Sequence, residues 1–179
     1  QSAGKEVVYS TLALIMSERE SATLQEIVAS PDMMIEANDF ATTDLLAGKA
    51  HVVGPYVNVY NEGTLAWLAD KGAKRVCLPV ELPGDAIRSL AGQSICDIEI
   101  QAWGRLPLAI SARCYHARAH GLHKDSCQYV CDLDKDGMEV TTVDRQPFLS
   151  VNGTQTMSSS CLSLLNEIRD LAASGVRYF

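Results

Sequence analysis

The stretch 111–137, "SARCYHARAHGLHKDSCQYVCDLDKDG", carries Cys114, Cys127 and Cys131 together with His116, His120 and His123. That is three of the six cysteines and three of the four histidines in one charged segment. Three chemistries use such a set: a disulfide loop, a metal site, or a nucleophilic cysteine with a histidine base. The spacing is C-x12-C-x3-C. A zinc ribbon uses paired C-x2-C units, and this stretch has none, so zinc would have to recruit His116, His120 or His123. Soft thiolates at irregular loop spacing also suit an iron–sulfur cluster, which normally takes four cysteines. A catalytic pair, Cys114 with His116 or Cys127 with His123, leaves further thiols without a role and has no evident orienting group.

The remaining thiols read differently. Cys77 lies between Val76 and Leu78 and is expected to be a buried small hydrophobe, while Cys96 opens a strand. Cys161 falls on the apolar stripe of a helical pattern and is expected to be structural as well. "DLDKDG" at 132–137 begins like an EF-hand loop, but its twelfth position is Val143 instead of glutamate. A tight Asp136-Gly137 turn between two strands is the simpler expectation.

The elements that must position these groups alternate along the chain. Strand patterns at 6–15, 33–39, 51–60, 74–82 and 96–104 are each followed by helical stripes, until the cysteine-rich segment interrupts them. A strand at 146–153 and the most regular helical pattern, 160–175, follow, then a short strand "VRYF". Strands alternating with helices predict a parallel α/β sheet, either open and doubly wound or closed as a (β/α)8 barrel. Both ends read as incomplete, as though the first strand–helix units and the extreme C-terminus were cut away.

Polar residues collect where these strands end: Glu36, Asn38 and Asp39; Asn58, Tyr60 and Asn61; Glu81; Trp103. Parallel α/β folds build their sites at that edge, although polar residues there also cap the next helix. Glu36, Asn58 and Glu81, with Arg113, are the substrate-binding candidates. Glu99, inside "DIEIQ", is expected to point into a barrel interior or to solvent.

The 179 residues suit one domain, with 105–146 as a cysteine-rich insertion. A net charge of −7 disfavours a general nucleic-acid or anionic-membrane binder. The apolar runs are too short to span a bilayer, and no secretory signal is evident, so a cytoplasmic protein with reduced thiols is expected. No dinucleotide or P-loop fingerprint occurs.

Five segments carry a resemblance: "LPLAISARCYHARAHGLHKDSCQYVC", "STLAL", "IEAND", "VCLPVEL" and "VNGTQTMS". Together they resemble the collagenase-like peptidases, family thirty-two of the unknown-mechanism class, and within it the branch that serves ubiquinone biosynthesis. The resemblance implies a (β/α)8 TIM-barrel-like fold and a 4Fe-4S cluster. Three cluster ligands map onto Cys114, Cys127 and Cys131, and the fourth cysteine is expected upstream of "STLAL", outside this chain. The implied activity is oxygen-independent ring hydroxylation of a ubiquinone precursor, with prephenate as oxygen source, in a heterodimer with a homologous subunit.

The wider family carries a glutamate, a histidine-glycine pair and a cysteine before the S-x-R-C segment. Here "EIQAWGRLPLAISARC" has Trp103 before Gly104 and no cysteine ahead of Cys114. With no nucleophile or metal-bound water identifiable, peptidase activity is not expected. Arg113, beside the first implied ligand, either bonds to sulfur, meets a carboxylate substrate, or pairs at the surface. The alternatives are an RNA-modifying relative, needing a local patch from Arg105, Arg113, Arg118 and Lys124, and a zinc-stabilised binding module without catalysis. The cysteines are expected to converge at a barrel mouth onto which Glu36, Asn58 and Glu81 also open.

Overall fold

The computed structural model describes residues 4–30 and 32–179. They divide into two compact units, Gln1–Ala102 with Leu165–Phe179, and Trp103–Leu164.

The first unit is a six-stranded parallel sheet. Its strands are β1 (Val8–Ser10), β2 (Met34–Ala37), β3 (His51–Val53), β4 (Ala73–Cys77), β5 (Asp97–Glu99) and β10 (Val176–Tyr178), adjacent in that order. Helices α1 (Glu18–Ala29), α2 (Phe40–Leu45), α3 (Glu62–Asp70), α4 (Gly84–Gly92) and α6 (Ile168–Ala173) connect them. The sheet order follows the chain without reversal. Doubly wound sheets reverse at a switch point, whereas successive right-handed crossovers in one direction put every helix on the same face. The order therefore lacks the reversal of a doubly wound sheet, and the unit is an α/β arrangement around six parallel strands. Among the described residues β1 and β10 remain edges and no closed barrel forms.

Register explains the two faces of this sheet. Ala37 pairs with Val53, Val53 with Val76, and Val76 with Ile98, and all four are buried. Side chains alternate across a strand. The neighbouring positions Ser10, Glu36, Arg75, Cys77 and Glu99 thus share the opposite face. One face is apolar and packs, while the other carries charge.

The helices begin where side chains can take the free backbone N–H groups. Ser17 and Glu20 form a capping box on α1, with Glu20 N donating to Ser17 Oγ and Ser17 N to Glu20 Oε2. Asp39 caps α2 and Asn61 caps α3 through the N–H groups of Thr42 and Thr64. Each such cap is worth about 1 kcal/mol. Two of the strand-end polar residues are therefore helix caps. Leu24 and Val28 of α1 pack with Ile35, Ala37 and Leu46 into a core, edged by Ile15 and Ile27. Gly72 ends the α3 segment at φ +112, where a Cβ would lie 2.5 Å from Lys49 O.

The second unit is a four-stranded antiparallel sheet, order β6-β9-β8-β7, built from β6 (Trp103–Ile110), β7 (Met138–Thr141), β8 (Pro147–Asn152) and β9 (Gln155–Ser163). The segment read as an insertion, 105–146, lies inside it and contributes strand as well as loop. Strand β9 overturns the reading of 160–175 as one helix, because Arg105 pairs with Cys161 and Gly104 with Leu162. Helix α6 keeps only 168–173 of that pattern. Cys161 is accordingly exposed instead of buried on a helical stripe. Trp103 starts β6 instead of ending a strand, and it is exposed. Asp136-Gly137 joins the 3-10 turn Val130–Leu133 to β7, so it does not connect two strands.

Candidate functional site

Two polar clusters stand out, one in each unit. In the first unit the charged sheet face centres on Arg75. Its Nε lies 3.1 Å from Glu99 Oε2, off the hydrogen-bonding direction, and its Nη1 lies 3.6 Å from Glu6 Oε2. The guanidinium also stacks over Tyr178, 4.0 Å from the ring centroid. Burial raises the Glu99 pKa; Arg75 opposes that rise, and Glu36 and Glu6 add to it. Burial, then Glu99 and Glu36, push the Cys77 thiol up to about 12 against the pull of Arg75. Tyr56 is raised by burial and by the charges of Glu36 and Cys77. One cation thus serves a cluster in which the carboxylates outnumber it.

Glu36 belongs to this face. It sits within β2, half-buried, and Ser10 Oγ donates to its Oε1 at 2.7 Å. Asn38 reinforces the arrangement, its Nδ2 donating to Ser10 Oγ, Thr11 O and Glu36 Oε1. Asn38 Oδ1 is buried without a partner, pressed toward Gly54, where a Cβ would come within 2.0 Å of it. The other strand-end candidates stand apart from this network. Asn58 is exposed and closes the 3-10 turn Pro55–Val57 in a left-handed conformation, φ 61 and ψ 60. Glu81 is exposed in the turn between β4 and α4. Arg75 and Tyr178 were not singled out by sequence reasoning, because their significance depends on strands distant in the chain.

In the second unit the three cysteines fall on three short ordered segments. Cys114 is buried and caps α5 (Tyr115–Ala119), its Sγ accepting from Ala117 N at 3.3 Å. Cys127 ends the 3-10 turn Lys124–Ser126, and its Sγ accepts from Tyr129 N at 3.2 Å. Cys131 is half-buried within the turn Val130–Leu133. Two sulfurs therefore already receive backbone N–H groups, the kind of bond that tunes the potential of a metal–sulfur centre. Arg113, immediately before Cys114, is exposed.

The histidines take a different direction from the cysteines. His116 is fully buried, and its Nε2 lies 3.0 Å from Asp134 Oδ2. His120 Nε2 lies 3.8 Å from the same oxygen. The two rings stack 5.6 Å apart at 10°. His116 thus meets a carboxylate through Nε2, and its Nδ1 has no hydrogen-bond partner, so His116 and Cys114 are not hydrogen-bonded to each other. Arg105 points inward, its Nη1 donating to the carbonyls of Ser158 and Ser159, so it is withdrawn from the basic patch an RNA binder would need.

Among the described residues no helix is long and apolar enough to cross a membrane. No solved structure matches the chain at a significant level. Residues 2–179 do match the family model described as Peptidase family U32. That match covers both units and spans the motifs at 10–14, 35–39, 76–82, 106–131 and 151–158. The chain belongs to Peptidase family U32.

Proposed function

We propose that this chain is a UbiV-type iron–sulfur subunit, acting in oxygen-independent ring hydroxylation during ubiquinone biosynthesis with the homologous UbiU as its heterodimer partner. The observation that supports it most is the state of the sulfurs. Cys114 and Cys127 each accept a backbone N–H, and Cys114 is withdrawn from solvent at a helix start. Burial alone would suit a thiol that merely filled space, but such a thiol would not need the backbone N–H groups. With Cys131 they supply three soft donors, the set a 4Fe-4S cluster takes, with the fourth position left to a ligand outside this stretch.

When bound, such a cluster supplies one-electron chemistry or a site for a substrate oxygen. This chain's own residues would hold it, exclude water around Cys114, and donate hydrogen bonds to sulfur. Glu36, Asn58, Glu81 and Arg113 are the proposed contacts for the ubiquinone precursor and for prephenate, the proposed oxygen source. Glu36 is the best supported of the four, because it alone lies in a preorganised hydrogen-bond network. Arg113 would meet a substrate carboxylate.

The test is anaerobic isolation of the protein, followed by iron and acid-labile sulfide determination and electron paramagnetic resonance. About four irons per chain are expected, falling sharply in Cys114→Ser, Cys127→Ser and Cys131→Ser variants. Absence of iron and sulfide from anaerobically prepared, folded protein would overturn the reading.

A further inference from the structure

We propose that His116, His120 and Asp134 form a mononuclear site for a divalent transition metal of the zinc class, separate from the cysteines. Their ligand atoms all lie within 4.8 Å of one another. Donors at about 2.0–2.2 Å from a tetrahedral ion stand roughly 3.3 Å apart. The observed separations to Asp134 Oδ2, 3.0 Å from His116 Nε2 and 3.8 Å from His120 Nε2, bracket that value. Small side-chain adjustments therefore suffice to close the site.

The local fold explains why the donors meet. His116 and His120 are four residues apart across α5 and its C-cap, so the helical period puts them on one side. The near-parallel rings bring both Nε2 atoms toward one carboxylate oxygen. Asp134 follows directly on the turn Val130–Leu133 as its C-cap. Two imidazoles and one carboxylate form a borderline nitrogen–oxygen set that suits zinc or cobalt and leaves a fourth position for water. No cysteine belongs to this group, whose three ligand atoms come from His116, His120 and Asp134 alone.

The buried ring of His116 sets the strength of the site. Its Nδ1 has no partner, and its Nε2 lies 3.0 Å from Asp134 Oδ2. With a metal on Nε2, the Nδ1 side of the ring faces no hydrogen-bond acceptor. Ligating histidines normally have such an acceptor, and losing one weakens binding about 10- to 100-fold. The site is therefore expected to be exchangeable and far weaker than a four-ligand structural zinc centre. Its consequence is mechanical. A bound ion ties the helix capped by Cys114 to the turn that contains Cys131, fixing the carriers of two thiols relative to each other.

The proposal does not depend on the cysteines holding a cluster, and the experiment keeps the two apart. Cobalt(II) is titrated anaerobically into the full chain carrying Cys114→Ser, Cys127→Ser and Cys131→Ser, with visible spectroscopy. Serine is itself a good N-cap, so α5 is retained in that background. One cobalt per chain is expected, with ligand-field bands in the visible, and the same stoichiometry is expected in metal-free protein with its thiols blocked. His120→Ala and Asp134→Asn, both at solvent-reachable positions, should weaken binding at least tenfold while circular dichroism stays unchanged. Failure of the serine background to bind cobalt, or binding undiminished by His120→Ala, would overturn the site.

Discussion

The two units each hold a histidine- or arginine-centred ion cluster, and they are built in opposite ways. In the parallel sheet, Arg75, Glu99 and Glu36 are placed by strand register, with Ser10 paired to Glu36 and Cys77 to Glu99. Their side chains cannot leave the face without shifting a whole strand. In the antiparallel unit, His116, His120 and Asp134 hang on a five-residue helix and a four-residue turn. Sheet register yields a rigid, partly desolvated cluster in which burial raises the pKa of a carboxylate. Short caps yield one buried ring joined to more accessible partners. A stiff binding surface is the natural use of the first, and an adjustable ligand set the natural use of the second.

Breaking the sheet cluster should cost most. Arg75→Met removes the cation from a side chain only 10% exposed and leaves Glu99 and Glu36 without it. A loss on the order of 3 kcal/mol is expected in urea unfolding, because uncompensated buried charge dominates. Adding Glu99→Gln should recover part of that loss, and a Glu99→Gln change that makes matters worse would deny the coupling.

Gly54→Ala comes next. The backbone there is ordinary, φ −81, so any penalty is steric: the new methyl meets Asn38 Oδ1. About 2 kcal/mol is expected, through the displaced bonds of Asn38 to Ser10, Thr11 and Glu36. Combining it with Asn38→Ala should cost clearly less than the sum of the two single changes, since the clash is then absent.

Asp134→Asn sharpens the contrast, being the corresponding cut in the second unit. Its side chain is 39% exposed, so about 1 kcal/mol is expected from thermal or urea unfolding, well below Arg75→Met. Equal losses at the two positions would erase the distinction between register-held and cap-held clusters.

The thiols separate the units kinetically. Cys77, raised to about 12 and buried, should resist alkylation at pH 8 until the chain unfolds, whereas exposed Cys161 should react at once. Mass spectrometry of the labelled native protein reads this directly.

The smallest effect is the pH dependence from Glu99. Its folded pKa is raised, chiefly by burial, so the folded state holds the proton over a range where the unfolded chain has released it. Its contribution is therefore fully present below the ordinary carboxylate value and is lost as pH rises through the folded value. The urea midpoint of the wild type, compared with Glu99→Gln, should fall across that window.

Alternation of strand and helix, the caps at Asp39 and Asn61, and the density of ligand chemistry in 111–137 were legible in the sequence, because periodicity, capping and composition act over a few residues. Sequence reasoning also named Glu36, as a polar residue at the end of its strand, and it is the third of the four residues of β2. Cys161 shows where such reasoning ends. The stripe of Cys161, Leu165, Ile168 and Ala172 has helical period, yet hydrogen bonds from β6, more than fifty residues away, make its first part a strand. Local preference is worth tenths of a kcal/mol per residue, and a ladder along β9 outweighs it. Arg75 and the His116–Asp134 pairing escaped for the same reason. Their partners stand 24 and 18 positions away, and only tertiary structure brings such groups together, since a charge has no period to betray its partner.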